Sequence, residues 1–588
     1  MTYLTPGEPK KRLRALFAGI LILAVVFSIR LVDLQIIQAQ AINKVSYENR
    51  SVTRTIPALR GDIVDSTGQV LAHTVYRYDI NAAPSKVAPI LRNVSGQEVS
   101  VPVEQVAAEL AAILDMTQAD VMAKIIGTSE YSNIKKKVDA EVYRRIRALE
   151  IPWLYYDPIP TRVYPNGAVA GNILGFLGSD GTPLAGLERT YNSCLAGIDG
   201  EETFEKGVDG IKIPSSSVVS KQAKPGRDIV LTIDSDLQYF SQQVLANTVV
   251  KLQADWASAI VVDSKTGKVL VAAEAPSVDP NDPGKSDAAD RGSRIFQAVF
   301  EPGSTMKTVT AATVVAEGTS TPSSGFSVPY RLTFPFGRDV TDSHVHGTEP
   351  LTLSGILADS SNTGIILAGQ KVPAETRYQY IRKFGLGEKT AINFEGESGG
   401  IVHKPGTAEY DKMTDKVTMF GQGLSVTPIQ TAYMYQTVAN DGVRLPAQLV
   451  AGCRDASGNL QAPSLPAPVQ VLTPAAASDT QRMLEMVVNY GGIGRTAAIP
   501  GYRIGGKTGT AQIKEGYGYG YHFAISFIGM APMEDPRYVV AVTVYKPRTI
   551  SNSLGATPPF KQIFQQVLRD YRVPPSTTKP VMISKYWK

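Results

Sequence analysis

The sequence predicts an α+β protein of several domains: an N-terminal membrane helix, a membrane-proximal region of short mixed elements, and a larger domain built on a mixed sheet with helices. Three observations predict it. The 588 residues exceed what one core organises and correspond to roughly three to four domain-sized units. An apolar run follows Lys10, Lys11, Arg12 and Arg14. From about residue 228 the texture shifts from short, glycine-punctuated elements to strands and helices with clean periodicity.

The first element is the anchor. Residues 13–32 are apolar apart from Arg14 and Arg30, whose long side chains snorkel to headgroups, and they reach the roughly 20 residues a bilayer needs. The basic residues ahead of them predict a cytoplasmic tail, residues 1–12, with everything after the anchor outside. Ala39-Gln40-Ala41 has the small-x-small pattern of a signal cleavage site. It lies about ten residues beyond the apolar core, too far for that role, so an uncleaved anchor is expected. Beyond it, Leu34, Ile36 and Ile37 alternate with Asp33, Gln35 and Gln38, which predicts an amphipathic stalk.

In the membrane-proximal region, 60–72 reads as strand, turn and strand around Asp65-Ser66-Thr67-Gly68. Residues 106–114 read as helix, and glycines recur densely from 164 to 200. Residues 215–217 and 224–226 read as a linker. The larger domain opens with a strand at 229–233. Asp234 or Ser235 then caps a helix whose apolar residues Leu237, Phe240, Val244, Leu245, Val249 and Leu252 share a face. Segments 259–262 and 269–273 form a hairpin, and 504–512, 523–530 and 538–545 are three further strands. From Pro574 on, an exposed tail is expected.

Composition excludes several function classes. With 43% hydrophobic and 19% charged residues, the chain is neither disordered nor fibrous. A net charge of +5 is too small and too dispersed for nucleic acid. Among five histidines only His344 and His346 are neighbours, so no metal site is expected. No glycine-rich phosphate loop is present, and no cofactor is expected. Cys194 and Cys453 read as two small buried residues rather than as a pair.

Chemistry concentrates in Phe300-Glu301-Pro302-Gly303-Ser304-Thr305-Met306-Lys307. Pro302 and Gly303 break the chain, and helix formers follow through Glu317 with Gly318 as the stop. Ser304 therefore begins a helix, one turn before Lys307 on the same face. A lysine desolvated at a positive helix end has a lowered pKa and serves as a base for the serine. Free N–H groups at the helix start suit an oxyanion. The spacing alone decides nothing, because Ser132 and Lys135 share it. A second element, Ser360-Ser361-Asn362, places a hydroxyl and an amide in a loop; Ser457-Gly458-Asn459 is its decoy. A third, Gly505-Gly506-Lys507-Thr508-Gly509-Thr510, lies on a strand. Its paired glycines let a substrate approach the backbone, and Lys507 with the threonines suits a carboxylate. Lys265-Thr266-Gly267 is its decoy, in a hairpin turn.

The ordered set, helix-start Ser-x-x-Lys at 304, Ser-x-Asn at 360 and strand Lys-Thr-Gly at 507, resembles the penicillin-interactive serine enzymes. Among these the chain is most similar to the class B penicillin-binding proteins, peptidoglycan D,D-transpeptidases. Arg60 to Ala72, Arg162-Val163-Tyr164-Pro165 with Gly186-Leu187-Glu188, Asp263 to Pro276 and the 279–281 turn resemble that family. Phe420-Gly421-Gln422-Gly423-Leu424 resembles its cell-division (septal) members. Residues 85–155 match poorly.

The resemblance implies a pedestal of the dimerisation type at 33–225 and a transpeptidase domain at 226–573, with a central antiparallel sheet carrying helices on both faces. A C-terminal tail at 574–588 completes the division. It implies Ser304 as nucleophile, Lys307 as base, Ser360 as proton relay, Asn362 on the substrate amide and Lys507 as the charge beside Ser360. Thr508, Gly509 and Thr510 would bind substrate, and the N–H groups of Ser304 and Thr510 would form the oxyanion hole. The implied partners are peptidoglycan stem peptides, β-lactams, the membrane, and a polytopic glycan polymerase with other division proteins. The rival readings are an elongation-type transpeptidase, a β-lactamase or carboxypeptidase, and a non-catalytic division scaffold.

Overall fold

The computed structural model of the chain describes residues 9–94, 96–207, 216–490, 493–516 and 518–588. Pro9–Val32 form one helix, continued by a wider turn through Asp33–Ile37 and then by helix Ala39–Arg50. No side chain of the first helix is buried, and Pro9–Ile37 is long and apolar enough to cross a membrane. Most of the expected cytoplasmic tail, residues 1–8, lies outside the described residues, as does Ser215 of the expected linker. Between the two expected linker pieces, Val218–Lys221 is a strand, antiparallel to Gly200–Glu205, which in turn pairs with Ser51–Ile56. These three strands and the N-terminal helices form one compact unit, residues up to Leu59 with Gly197–Pro225.

The second unit, Arg60–Ala196 with Gly226–Lys588, contains everything that positions the site. In it Val70–Ala82 pairs antiparallel with Leu154–Val163, from His73↔Val163 to Ala82↔Leu154. The predicted turn ahead of it is closed by Asp65, whose Oδ1 accepts from the N–H of Thr67 (2.8 Å) and of Gln69 (2.9 Å). The other oxygen accepts from Ser235 Oγ at 2.7 Å. One aspartate thus builds a turn and fastens it to the next helix start. Helix Val103–Leu114 exists as expected and buries Val106, Leu110 and Leu114 in a satellite core with Ile80 and Leu154.

The glycine-dense segment folds around Glu188, which is fully buried. Its carboxylate accepts from Arg60 Nε at 2.5 Å, Arg162 Nε at 2.7 Å and the Tyr164 hydroxyl at 3.1 Å. Arg60 also reaches Asn192 Oδ1 at 2.6 Å. Motifs separate in sequence, Arg60-Gly61-Asp62, Arg162-Val163-Tyr164 and Gly186-Leu187-Glu188, are therefore one ion cluster in space. A buried carboxylate requires such complete pairing.

Cys194 and Cys453 form a disulfide, 259 residues apart, which corrects the reading of two separate thiols. Cys453 lies on strand Val450–Arg454, opposite Ile229, and helix Asn192–Leu195 brings Cys194 to that edge. Only the folded sheet makes them neighbours. Such a bond belongs to an oxidising compartment.

The sheet of the larger domain has five strands: β1 Trp256–Asp263, β2 Lys268–Ala275, β3 Gly505–Glu515, β4 Gly518–Ala531 and β5 Tyr538–Tyr545. Their spatial order is β2-β1-β5-β4-β3, every pair antiparallel. Side chains alternate faces with period two. Ala257, Ala259 and Val261 pack beneath α1 Ser235–Leu252 and α7 Thr557–Asp570. Ile260 and Val262 pack on the opposite side in the core of α2 Lys307–Ala316 and α5 Pro428–Ala439. Helix α5 is buried along its whole length, and its start is closed by Gln430 Oε1, which accepts from the Thr427 N–H at 2.9 Å. Against α2 lies a third core of α3 Leu353–Asp359, α4 Asn362–Gly369 and α6 Pro474–Asn489.

The tail after Pro574 is exposed over most of its residues, but its end is also paired with the domain. Thr352 N–H and its hydroxyl both donate to Lys585 O (2.9 and 3.2 Å), and Trp587 N–H donates to Pro350 O at 3.0 Å. Ile583 is buried. Residues 585–587 thus run as an extra antiparallel strand on Glu349–Thr352. The segment has no periodicity to announce this, because the pairing groups are backbone.

Candidate active site

The three expected motifs come from three different elements and meet at one point. Gly303–Met306 form a 3₁₀ turn leading directly into α2. In a 3₁₀ turn residues three apart eclipse one another, which lines Lys307 up with Ser304 more directly than an α-turn does. Lys307 Nζ donates to Ser304 Oγ at 3.0 Å and to Ser360 Oγ at 3.2 Å, and contacts the Ser360 carbonyl as well. Lys507 Nζ reaches Ser360 Oγ from the other side at 2.9 Å and Thr508 Oγ1 at 3.0 Å. Ser304, Lys307, Ser360, Lys507 and Thr508 are thereby linked by hydrogen bonds.

Both lysines have no solvent exposure. Burial, reinforced by the like charge of Lys507, holds the Lys307 ammonium well below its ordinary value. Asp342 opposes this weakly. Burial likewise lowers Lys507 to about 7, against the pull of Asp359. Desolvation, rather than the helix end alone, is what disfavours the charged form of Lys307.

The Ser360 element is less of a loop than expected. Ser360 is a single left-handed residue, φ +59°, between α3 and α4. Asp342 holds the turn that follows: its carboxylate accepts from Ser361 Oγ at 2.6 Å, from Thr363 N–H at 3.1 Å and from Asn362 N–H. His346 Nε2 lies 3.1 Å from the same carboxylate. The Asn362 side-chain amide donates to Thr341 O at 3.0 Å, which ties it to the strand carrying Thr341.

Strand β3 abuts the nucleophile turn backbone to backbone. Gly303 has φ +56°, and a Cβ there would stand 2.8 Å from Thr510 O. A Cβ on Gly509 would strike Ser526 Oγ and lie 2.9 Å from Thr305 Cγ2. Gly421 closes the third side, accepting from the Gly303 N–H at 3.0 Å. Gly505 and Gly506 serve otherwise than expected. A Cβ on the first would meet Met533 Sδ at 2.7 Å, and one on the second would meet the Phe527 ring at 2.8 Å. They make room for protein, not for substrate. Thr510 Oγ1 lies 3.0 Å from Ser553 Oγ, which donates to Gly509 O at 2.7 Å.

Several residues here escaped the sequence. Asp342, Asp359 and Ser553 act across long separations. Tyr435 on α5 is buried beneath the turn, its hydroxyl 2.8 Å from Thr308 Oγ1 and 3.2 Å from Thr305 O. Glu301 accepts from the Gly423 N–H at 2.9 Å and from the Tyr519 hydroxyl at 3.0 Å; its place three residues before Ser304 was the only signal available. The decoys fall elsewhere. Ser132–Val138 is a strand with Lys135 on Leu114 O. Ser457 and Asn459 belong to a turn closed by Asp455, and Lys265 pairs with Asp535 at 2.9 Å.

Comparison with known proteins agrees with this geometry. Residues 257–568 match the penicillin binding protein transpeptidase domain, and 55–231 match the penicillin-binding protein dimerisation domain. The penicillin-binding protein PbpB of Mycolicibacterium smegmatis is 34% identical over 584 residues, covering 95% of this chain and 90% of that protein. The chain belongs to the class B penicillin-binding proteins. The peptidoglycan D,D-transpeptidase FtsI of Escherichia coli is 30% identical, over 95% of this chain and 92% of that one. A crystal structure of penicillin binding protein 3 from Mycobacterium tuberculosis, complexed with aztreonam, superposes with a TM-score of 0.68. It is 29% identical and covers 90% of this chain and 100% of that one. In this class B penicillin-binding protein the Ser-x-x-Lys, Ser-x-Asn and Lys-Thr-Gly elements of the family are Ser304/Lys307, Ser360/Asn362 and Lys507/Thr508/Gly509.

Proposed function

We propose that the chain crosslinks peptidoglycan stem peptides at the division septum, through an acyl-enzyme on Ser304. One observation carries this reading: Lys307 bonds Ser304 and Ser360 at once, and Lys507 bonds Ser360 from behind. Neutral Lys307 takes the Ser304 proton as Oγ attacks the carbonyl before the terminal D-alanine. The C–N bond breaks, and the proton passes through Ser360 to the departing amine. An amine of a neighbouring stem then attacks the ester, a new amide forms, and Ser304 regains its proton. Asn362 holds the substrate amide. Thr508 and Thr510 bind the terminal carboxylate, with Gly509 allowing the close approach between them, and the N–H groups of Ser304 and Thr510 receive the oxyanion. β-Lactams acylate the same serine.

The septal assignment rests on Phe420-Gly421-Gln422-Gly423-Leu424 and on the similarity to FtsI and PbpB. In this reading residues 13–32 anchor the chain with the N-terminus in the cytoplasm. Residues 33–225 are the stalk and pedestal, 226–573 the transpeptidase domain, and a polytopic glycan polymerase is contacted through anchor and pedestal. Labelling with a fluorescent penicillin tests the chemistry: wild type labels and Ser304→Ala does not. Label retained by Ser304→Ala, or none on wild type, sinks it. A fluorescent fusion found along the lateral wall, with rounded cells on depletion, would replace the septal assignment by the elongation one.

A further inference from the structure

The C-terminal tail, exposed over most of its residues, is tied to the domain at its end. Gly355, on α3, has no room for a Cβ because Lys585 O stands against it, and Gly325 has none because of the Trp587 ring. Trp587 Nε1 donates to Phe326 O at 3.1 Å, and Thr352 Oγ1 donates to Ser584 O at 2.7 Å. The strand under this segment, Glu349–Thr352, continues directly into α3, and α3 ends at Asp359, immediately before Ser360. Lys585 Nζ lies 2.9 Å from Asp359 Oδ1, both side chains about three-quarters buried. The same lysine faces Tyr490 and Tyr586. The Asp359 carboxylate in turn is the charge that opposes burial at Lys507. One segment therefore contacts both ends of the short helix that presents Ser360.

We propose that residues 583–587 are a positioning strap for the Ser360 turn, with Lys585 holding the Asp359 carboxylate so that Ser360 and Lys507 stay in register. Lys585 is a positioning residue, since it touches neither Ser304 nor the reacting atoms. The proposal rests on the assignment of Ser360 and Lys507 to proton transfer given above. Its logic is geometric: α3 has seven residues, Ser360 is left-handed, and small displacements of such a turn alter both lysine contacts together.

The test measures acylation rate by a fluorescent penicillin across pH, beside thermal melting, on full-length protein carrying Lys585→Met, Lys585→Arg or Asp359→Asn. Lys585→Met is expected to acylate about tenfold more slowly, as a displaced catalytic group does, and Lys585→Arg to recover most of the loss. In Asp359→Asn the alkaline limb of the pH profile moves to lower pH, because Lys507 loses the charge that opposes its burial; Lys585→Met moves it the same way. A wild-type rate and profile for Lys585→Met overturns the strap, as does Lys585→Arg as slow as Lys585→Met. A limb displaced upward in Lys585→Met means that Lys585 acts only as a like charge on Lys507, and also overturns it. If Lys585→Met does not fold, Asp359→Asn decides: an unmoved alkaline limb overturns the proposal. Absence of label on wild type would sink the Ser304 assignment instead, so the two failures are distinct.

Discussion

Around Glu188, two guanidinium groups and a tyrosine hydroxyl close on one carboxylate. Around Ser304, two ammonium groups close on hydroxyls and a carbonyl, and among the described residues no carboxylate lies within ion-pair distance of either. Both clusters bury cations. The first compensates them, which makes it a structural node whose value lies in fixing three distant segments. The second withholds compensation, which pushes protons off the lysines and makes them reactive. The difference shows how one polypeptide spends stability at a site where reactivity is needed.

Breaking each cluster should therefore give opposite results. Lys307→Met removes the proposed base and is expected to cut acylation by about 10³- to 10⁴-fold, with melting temperature unchanged or raised because a buried polar amine is replaced by an apolar group of similar length. Stopped-flow penicillin acylation and calorimetry read the two arms; a variant that acylates normally would remove Lys307 from the mechanism. Glu188→Ala leaves two arginines without their anion and is expected to cost about 3–5 kcal/mol of stability, while the folded fraction acylates as wild type does. Denaturant titration alongside labelling checks it. Cys194→Ser tests the disulfide beside that node: a loss of about 2–4 kcal/mol is expected, reproduced in wild type by a reductant.

The smallest effect sharpens the comparison most. Lys507 depresses Lys307 by like charge, so replacing Lys507 with a neutral residue raises the folded value at Lys307. The acid limb of residual acylation, where Lys307 gains its proton, then moves to higher pH. A limb that stays in place would show that the two lysines do not sense each other. In the intact site the two lysines are coupled, and their titration steps belong to the pair.

What could be read beforehand follows the same division. Ser304, Lys307, Ser360 and Lys507 were legible because order and local context separate them from identical spacings at Ser132 and Lys265. The hairpin at 259–262 and 269–273 was legible from two apolar runs around a turn. The Glu188 cluster showed only as three scattered motifs, since nothing local reveals that Arg60 and Arg162 meet 128 and 26 residues from their anion. Asp342, Ser553 and Tyr435 were invisible for the same reason. Gly505 and Gly506 read in sequence as room for a substrate, yet they and Gly325 and Gly355 are places where another part of the molecule leaves no space. The strap was missed and the disulfide misread, because backbone pairing and a contact across 259 residues leave no periodic trace.

Gly303, Gly421 and Gly509 carry a last consequence. They bring the main chain of three segments, more than 80 residues apart from one another in sequence, into direct apposition around the nucleophile. The surroundings of Ser304 accordingly do not exist until all three segments have arrived. A folding chain with one of them missing lacks the apposition that frames this hydroxyl, so on the proposed reading penicillin labelling would report completed folding as well as inhibition.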